Sequence, residues 1–173
     1  MKHCPHYNYS CEDPPIVRRL GRMWNACHKF FRLPPESKRF VLRTILILPM
    51  TYAGLELFGL NRLLARIQRL APNAGQMPKP SLQEIQAYTQ LFSAVARRCP
   101  LPLQCLGRSV ALCWLLRQQG IDATVHIGVR KENNALDAHA WVQVGDFVIN
   151  DTENVADRYT RIVPGYSGIH RAR

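Results

Sequence analysis

CLGRSVALCWLLRQQGIDATVHIGVRKENNALDAHAWVQVGDFVIND, residues 105–151, is the stretch on which the fold turns. Leu106, Val110, Cys113, Trp114 and Leu116 supply the apolar positions of a helix that opens on Cys105. Gly120 is placed to close that helix as its C-terminal cap. Residues 123–129 are rich in β-branched side chains and read as a strand. Residues 131–136 read as a polar loop with Asn133-Asn134 at its turn. Residues 138–144 and 147–150 read as two strands joined at Gly145-Asp146, a hairpin signal. The expected fold class is α+β, a helix packed on a small antiparallel sheet.

This arrangement suits a cysteine nucleophile. At the first turn of a helix, unpaired N–H groups and the helix dipole favour a thiolate. The same N–H groups can hold an oxyanion. His139 can serve Cys105 as general base and then protonate the leaving amine. Asp151 can accept the other ring N–H and fix the tautomer. The net reaction is amide cleavage through a thioester. Geometry attaches a condition. With a two-residue connection at Gly145-Asp146, His139 faces residue 152 and Asp151 points to the other side of the sheet. The triad therefore predicts an odd-length connection or a bulge, with Trp141, Phe147 and Ile149 on the same face as His139.

Each residue alone has a plainer reading. Cysteine is among the most buried residue types, and a lone strand histidine ordinarily just packs. Cys113, two turns beyond Cys105, reads as core, and Cys99, before a proline, reads as packed. His126 on the neighbouring strand is a rival base ranked below His139.

Outward from this segment, Cys99-Pro-Leu-Pro-Leu-Gln104 forbids helix immediately before Cys105. Ser81-Leu-Gln-Glu84 has the spacing of a capping box, opening a helix that runs from 82 to about 98. Residues 71–80, APNAGQMPKP, carry three prolines and one glycine and read as a linker. The boundary falls there, between a tail and helical region over 1–80 and a core over 81–173. Residues 16–31 have helical periodicity, with Arg18, Arg19 and Arg22 on another face. Residues 36–48 and 52–70 read as two more helices, ended or kinked at Pro49. The apolar run 44–60 falls short of the roughly 20 residues of a membrane span and is interrupted by Pro49 and Glu56, so a buried helix pair fits better than membrane contact. Cys4, His6 and Cys11 fit no structural zinc spacing, and no metal or cofactor is expected. Residues 1–15 read as a polar tail.

The chain has 173 residues, 47% of them hydrophobic, enough for one domain with a core that needs no staples. Its net charge is +11. Residues 1–75 hold 12 basic and 4 acidic residues, and the remainder hold 11 and 8, so the excess lies outside the 105–151 segment. An acidic partner is plausible on these numbers. The N-terminus lacks the order of a secretory signal, so a cytoplasmic protein with reduced thiols is expected.

The order Cys, helix, Gly-Ile, strand, His-Ala-Trp-Val, strand, Asn-Asp resembles the bacterial transglutaminase-like cysteine protease superfamily. More closely it resembles the leader peptidases of lasso-peptide biosynthesis, the protease portion of maturation protein B. The matching pieces are Cys105-Leu-Gly-Arg-Ser109, Leu115-Leu116 with Gly120-Ile121, 127–131, Ala138-His139-Ala140-Trp141-Val142 and Asn150-Asp151. The resemblance implies a transglutaminase-like, papain-like core with an N-terminal helical extension. It implies Cys105 as nucleophile, His139 as base and Asp151 as orienting acid. It also implies cleavage of a ribosomally made precursor peptide between leader and core, with an asparagine synthetase-like cyclase acting next. Residues 1–80 show no run of short strands, so a separate leader-recognition protein is expected, and the basic N-terminal helices are a candidate docking surface for it or for the leader. Two other functions are compatible with the residues. One is a transglutaminase or deamidase on the same triad. The other is a non-catalytic basic module, but the N-terminal arginines lack the interleaved aromatics and motifs of nucleic-acid binding, and no nucleic acid is expected.

Overall fold

The computed structural model describes residues 31–70, 80–132 and 135–163. The 16–31 helix with its arginines, the Cys4/His6/Cys11 group, most of the 71–80 linker, and Asn133-Asn134 lie outside the described residues, apart from Phe31 and Pro80. By compactness the chain divides into Met1–Lys38 and Arg39–Arg173. The elements are helix α1 (Pro35–Leu70), α2 (Leu82–Ala96), α3 (Cys105–Gln118), strands β1 (Ala123–Glu132), β2 (Ala135–Val144) and β3 (Phe147–Val148), the single turn α4 (Val155–Arg158) and β4 (Thr160–Val163).

Pro49 does not end the first helix, contrary to the sequence expectation. α1 runs through it and breaks at Gly59, whose φ of 73° and ψ of 169° are not helical. A proline loses one backbone hydrogen bond but keeps a helical φ, whereas Gly59 turns the chain through the left-handed φ region that glycine adopts without strain. Across this break Gly54 lies under Leu63. A Cβ on Gly54 would stand 3.0 Å from a Leu63 methyl. By length and composition alone α1 could cross a membrane, and 39% of its most apolar window is buried within the protein.

α2 opens on the expected capping box. The Ser81 hydroxyl accepts from the Glu84 N–H, and Glu84 Oε2 accepts from the Ser81 N–H at 2.7 Å. α3 is the central element. Ser109 and every residue from Val110 to Leu116 are buried, so it is apolar nearly all round. Phe40, Ile47, Leu48 and Ile67 of α1, Ile85 and Phe92 of α2, and Val125 and Val142 of the sheet join it in one core. The region before residue 80 thus contributes to the same core as the region after it, and the compact unit begins at Arg39 rather than at 81.

The sheet is antiparallel, in the order β3-β2-β1-β4. β1 and β2 are longer than expected. Their register runs unbroken from Ala123 opposite Val144 to Glu132 opposite Ala135, so the loop expected over 131–136 is strand on both sides of Asn133-Asn134. Val142 and Val144 face α3. Trp141 faces away, into a second cluster with Val155 and Tyr159. α4 and β4 occupy the segment after Asp151.

Candidate active site

Cys105 is the first residue of α3, and its thiol is free and half-buried. Gln104 caps the helix without a side-chain hydrogen bond, and no acidic residue stands in the first turn. The first-turn N–H groups therefore retain their anion-stabilising character.

His139 lies on β2 with the parity of Trp141, opposite Gly128 of β1. Its Nε2 meets Asp151 Oδ2 at 2.5 Å. Burial alone would raise the Asp151 pKa, but hydrogen bonds from His139 and from the Thr152 N–H overcome this and hold it below the usual carboxylate range. Asp151 is therefore an ionised acceptor, Nε2 carries the proton, and Nδ1 is the nitrogen left to act as a base. The second carboxylate oxygen takes the Thr152 N–H at 2.7 Å and stands 3.8 Å from Arg158.

The pair forms by a route other than the one predicted. The connection has two residues, with Val144 opposite Phe147 and Gln143 opposite Val148, and no bulge. β3 then stops. Ile149 N–H still reaches the Val142 carbonyl, but the Val142 N–H is taken by Asn150 Oδ1 at 2.7 Å, a side chain standing in for backbone. Freed from the ladder, Asp151 turns to His139. The expected grouping of Trp141 with Phe147 and Ile149 is corrected too: Val148 packs with Trp141, Ile149 packs on the α3 side, and Phe147 is exposed.

Asn150 Nδ2 donates to Ser109 Oγ at 3.0 Å, and the Ser109 hydroxyl donates to the Ala140 carbonyl at 2.9 Å. Ser109 is one turn beyond Cys105, Ala140 follows His139, and Asn150 precedes Asp151. One chain of hydrogen bonds thus ties together the neighbours of the three predicted residues. The structure brings His139 and Asp151 into contact, while the Cys105 thiol makes no hydrogen bond among the described residues. Such bonds often tighten only when substrate is bound.

A wall of side chains flanks His139. The Tyr159 ring lies 5.3 Å from the imidazole, centroid to centroid. Its hydroxyl donates to Asp137 Oδ2 at 2.8 Å, and the same oxygen takes Arg130 Nε at 2.8 Å. These two bonds lower the Asp137 pKa, and the bond to Asp137 raises that of Tyr159. Gly128 makes room for the wall, since a Cβ there would lie 2.7 Å from Tyr159 Cβ. Sequence reading missed Ser109, Asn150, Asp137 and Tyr159. For Tyr159 there was a signal: Tyr-Thr-Arg-Ile-Val over 159–163 has strand composition.

The rival residues stand elsewhere. His126 is buried and stacks on Trp141, 5.8 Å between centroids; burial, with help from Arg161, lowers its pKa to about 4. The Cys113 thiol donates to the Ala123 carbonyl, and burial pushes its pKa up to about 12. Neither has the properties of an active group. No cluster of metal-ligating side chains occurs among the described residues.

The family model described as the transglutaminase-like superfamily matches residues 48–164. The chain is 43% identical over 58 residues to the microcin J25-processing protein McjB of Escherichia coli, a match covering 34% of this chain and 27% of that protein. No solved structure matches. With its helix-opening cysteine, its His139–Asp151 pair and a family match across two thirds of its length, the chain belongs to the transglutaminase-like superfamily.

Proposed function

We propose that this chain is a cysteine peptidase that removes the leader from a ribosomally made lasso-peptide precursor. The observation that carries the reading is the His139–Asp151 hydrogen bond, tied through Ser109, Ala140 and Asn150 to the helix that opens on Cys105. The identity to a microcin J25-processing protein supports the substrate class. His139 Nδ1 takes the Cys105 proton as the sulfur attacks the scissile carbonyl. First-turn N–H groups of α3 stabilise the oxyanion. The tetrahedral intermediate collapses, the C–N bond breaks, and His139 gives its proton to the leaving amine. Water, deprotonated by His139, then hydrolyses the thioester and releases the acid. Asp151 holds the imidazole and balances its transient charge.

The chain acts in the cytoplasm with a separate leader-recognition protein, and an asparagine synthetase-like cyclase consumes the freed core. The family membership favours one alternative, acyl transfer to an amine by the same thioester. Mass spectrometry of the precursor encoded beside this protein, incubated with it and the leader-recognition partner, tests the reading. Wild type gives leader and core, and Cys105→Ala gives neither. An intact precursor with wild type refutes peptidase activity, and a product heavier by an amine refutes hydrolysis.

A further inference from the structure

One edge of the sheet is open beside His139. β2 has β1 on one side, and β3 pairs with its other side only at Gln143 and Val144. Beyond that ladder the outward groups of β2 are met singly: the Val142 carbonyl by Ile149 N–H, the Val142 N–H by Asn150, and the Ala140 carbonyl by Ser109. All belong to even-numbered residues, as the two-residue period of an antiparallel strand requires. The same period turns the Ala140 N–H, and the N–H and C=O of Ala138 and Leu136, toward this edge. None of these has a partner among the described residues. Ala138 is exposed and Leu136 is 79% exposed, whereas Ala140 is buried under Ser109, so the accessible part of the edge runs from Leu136 to Ala138.

Open edges are normally defended by charge, proline or a bulge. Here the outward residues are Leu136, Ala138 and Ala140, none charged, and the β1–β2 register has no irregularity. Asp137, the acid on this strand, is engaged by Arg130 and Tyr159. The edge therefore lacks these defences. His139 sits between Ala138 and Ala140, and the helix that opens on Cys105 reaches the same edge through Ser109. A strand added there would run about 4.8 Å from β2, the strand that carries His139.

We infer that the edge from Leu136 to Ala138 binds the polypeptide substrate as an added, extended strand. Recognition is by main-chain hydrogen bonds to Ala138 and Leu136, which gives affinity for many sequences. The inference rests on the peptidase reading and names how that site holds its substrate.

Amide hydrogen exchange on the full-length Cys105→Ala protein tests it, with a synthetic peptide spanning the leader–core junction of the precursor encoded beside it. The outward amides of Leu136 and Ala138 gain at least about tenfold protection, while those of Asp137 and His139, already turned toward β1, do not change. With the wild type, single N-methylation along the peptide raises KM by about three- to tenfold at alternate residues only, with little change in kcat. Ala138→Pro, which removes an outward N–H and leaves the β1 ladder intact, raises KM by a similar factor. Cleavage with no alternation and no edge protection overturns the inference and leaves the peptidase reading standing. Absence of both cleavage and edge protection overturns the two together. A dimer that dissociates in Ala138→Pro overturns it in favour of a second copy of the chain on the edge.

Discussion

At the scale of single residues, the chemistry depends on where one proton sits. Asp151 holds His139 through Nε2, which leaves Nδ1 as the basic nitrogen. Asp151→Asn keeps the size of the side chain and loses its charge. An amide that donates to Nε2 would also force the wrong tautomer. We expect kcat/KM for precursor cleavage to fall on the order of 10²–10⁴-fold, with circular dichroism unchanged. His126 tests burial instead of catalysis. Its folded pKa is lowered from 6.5 to about 4 by burial. The unfolded chain binds this proton first, so the stability contributed by neutral His126 is complete above pH 6.5 and is lost as pH falls toward 4. Discounted for solvent screening, the loss is about 1–2 kcal/mol across that window. Denaturant titrations at pH 7 and pH 4.5 should show it in wild type, and His126→Phe should remove most of the difference.

At the scale of elements, the site is held by its neighbours. Ser109 and Asn150 link α3, β2 and the end of the β3 segment. Ser109→Ala leaves the Ala140 carbonyl and the Asn150 amide without their partner in a region where Ser109 is fully buried. It should cost about 1–3 kcal/mol in denaturant melts. It should also lower kcat more than it changes KM. Two glycines separate two kinds of constraint. At Gly59 the backbone has φ 73° and ψ 169° with open space around it, so Gly59→Ala costs only conformational strain, about 1–3 kcal/mol. At Gly128 the added Cβ would meet Tyr159 Cβ at 2.7 Å and the Thr160 carbonyl at 3.2 Å. Gly128→Ala must therefore displace β4 and the wall beside His139. It should lose activity in addition to about 1–3 kcal/mol of stability, whereas Gly59→Ala should keep its activity.

At the scale of the whole molecule, the prolines of 71–80 are a poor guide to where the folding unit begins. Phe40, Leu48 and Ile67 are each about 1% exposed, and they share one core with Leu112, Leu115 and Leu116 of α3. Residues 81–173 expressed alone would bare that surface of α3. We expect no cooperative thermal transition from that fragment, and a sharp one from the full chain. A cooperative transition in the fragment would restore a boundary at 80.

The sequence by itself determined several of the local elements and the residues of the candidate site. Cys105 at a helix start, Gly120 at its end and the capping box at Ser81 are short-range features, and short-range physics places them. The residues His139 and Asp151 were legible for the same reason, His139 within one strand-like segment and Asp151 just past the end of the next. Their meeting was not. The connection at Gly145-Asp146 has the length that points Asp151 away from His139. The contact exists because Asn150 leaves the ladder and bonds Val142 and Ser109 instead. Ser109 lies 41 residues from Asn150 in sequence. No window of local pattern contains that bond. The Tyr159–Asp137–Arg130 wall and the open edge of β2 depend likewise on which strand lies beside which. Side-chain periodicity fixes what faces inward along one segment. Only the packing of distant segments decides which polar groups find partners, and which are left for a substrate.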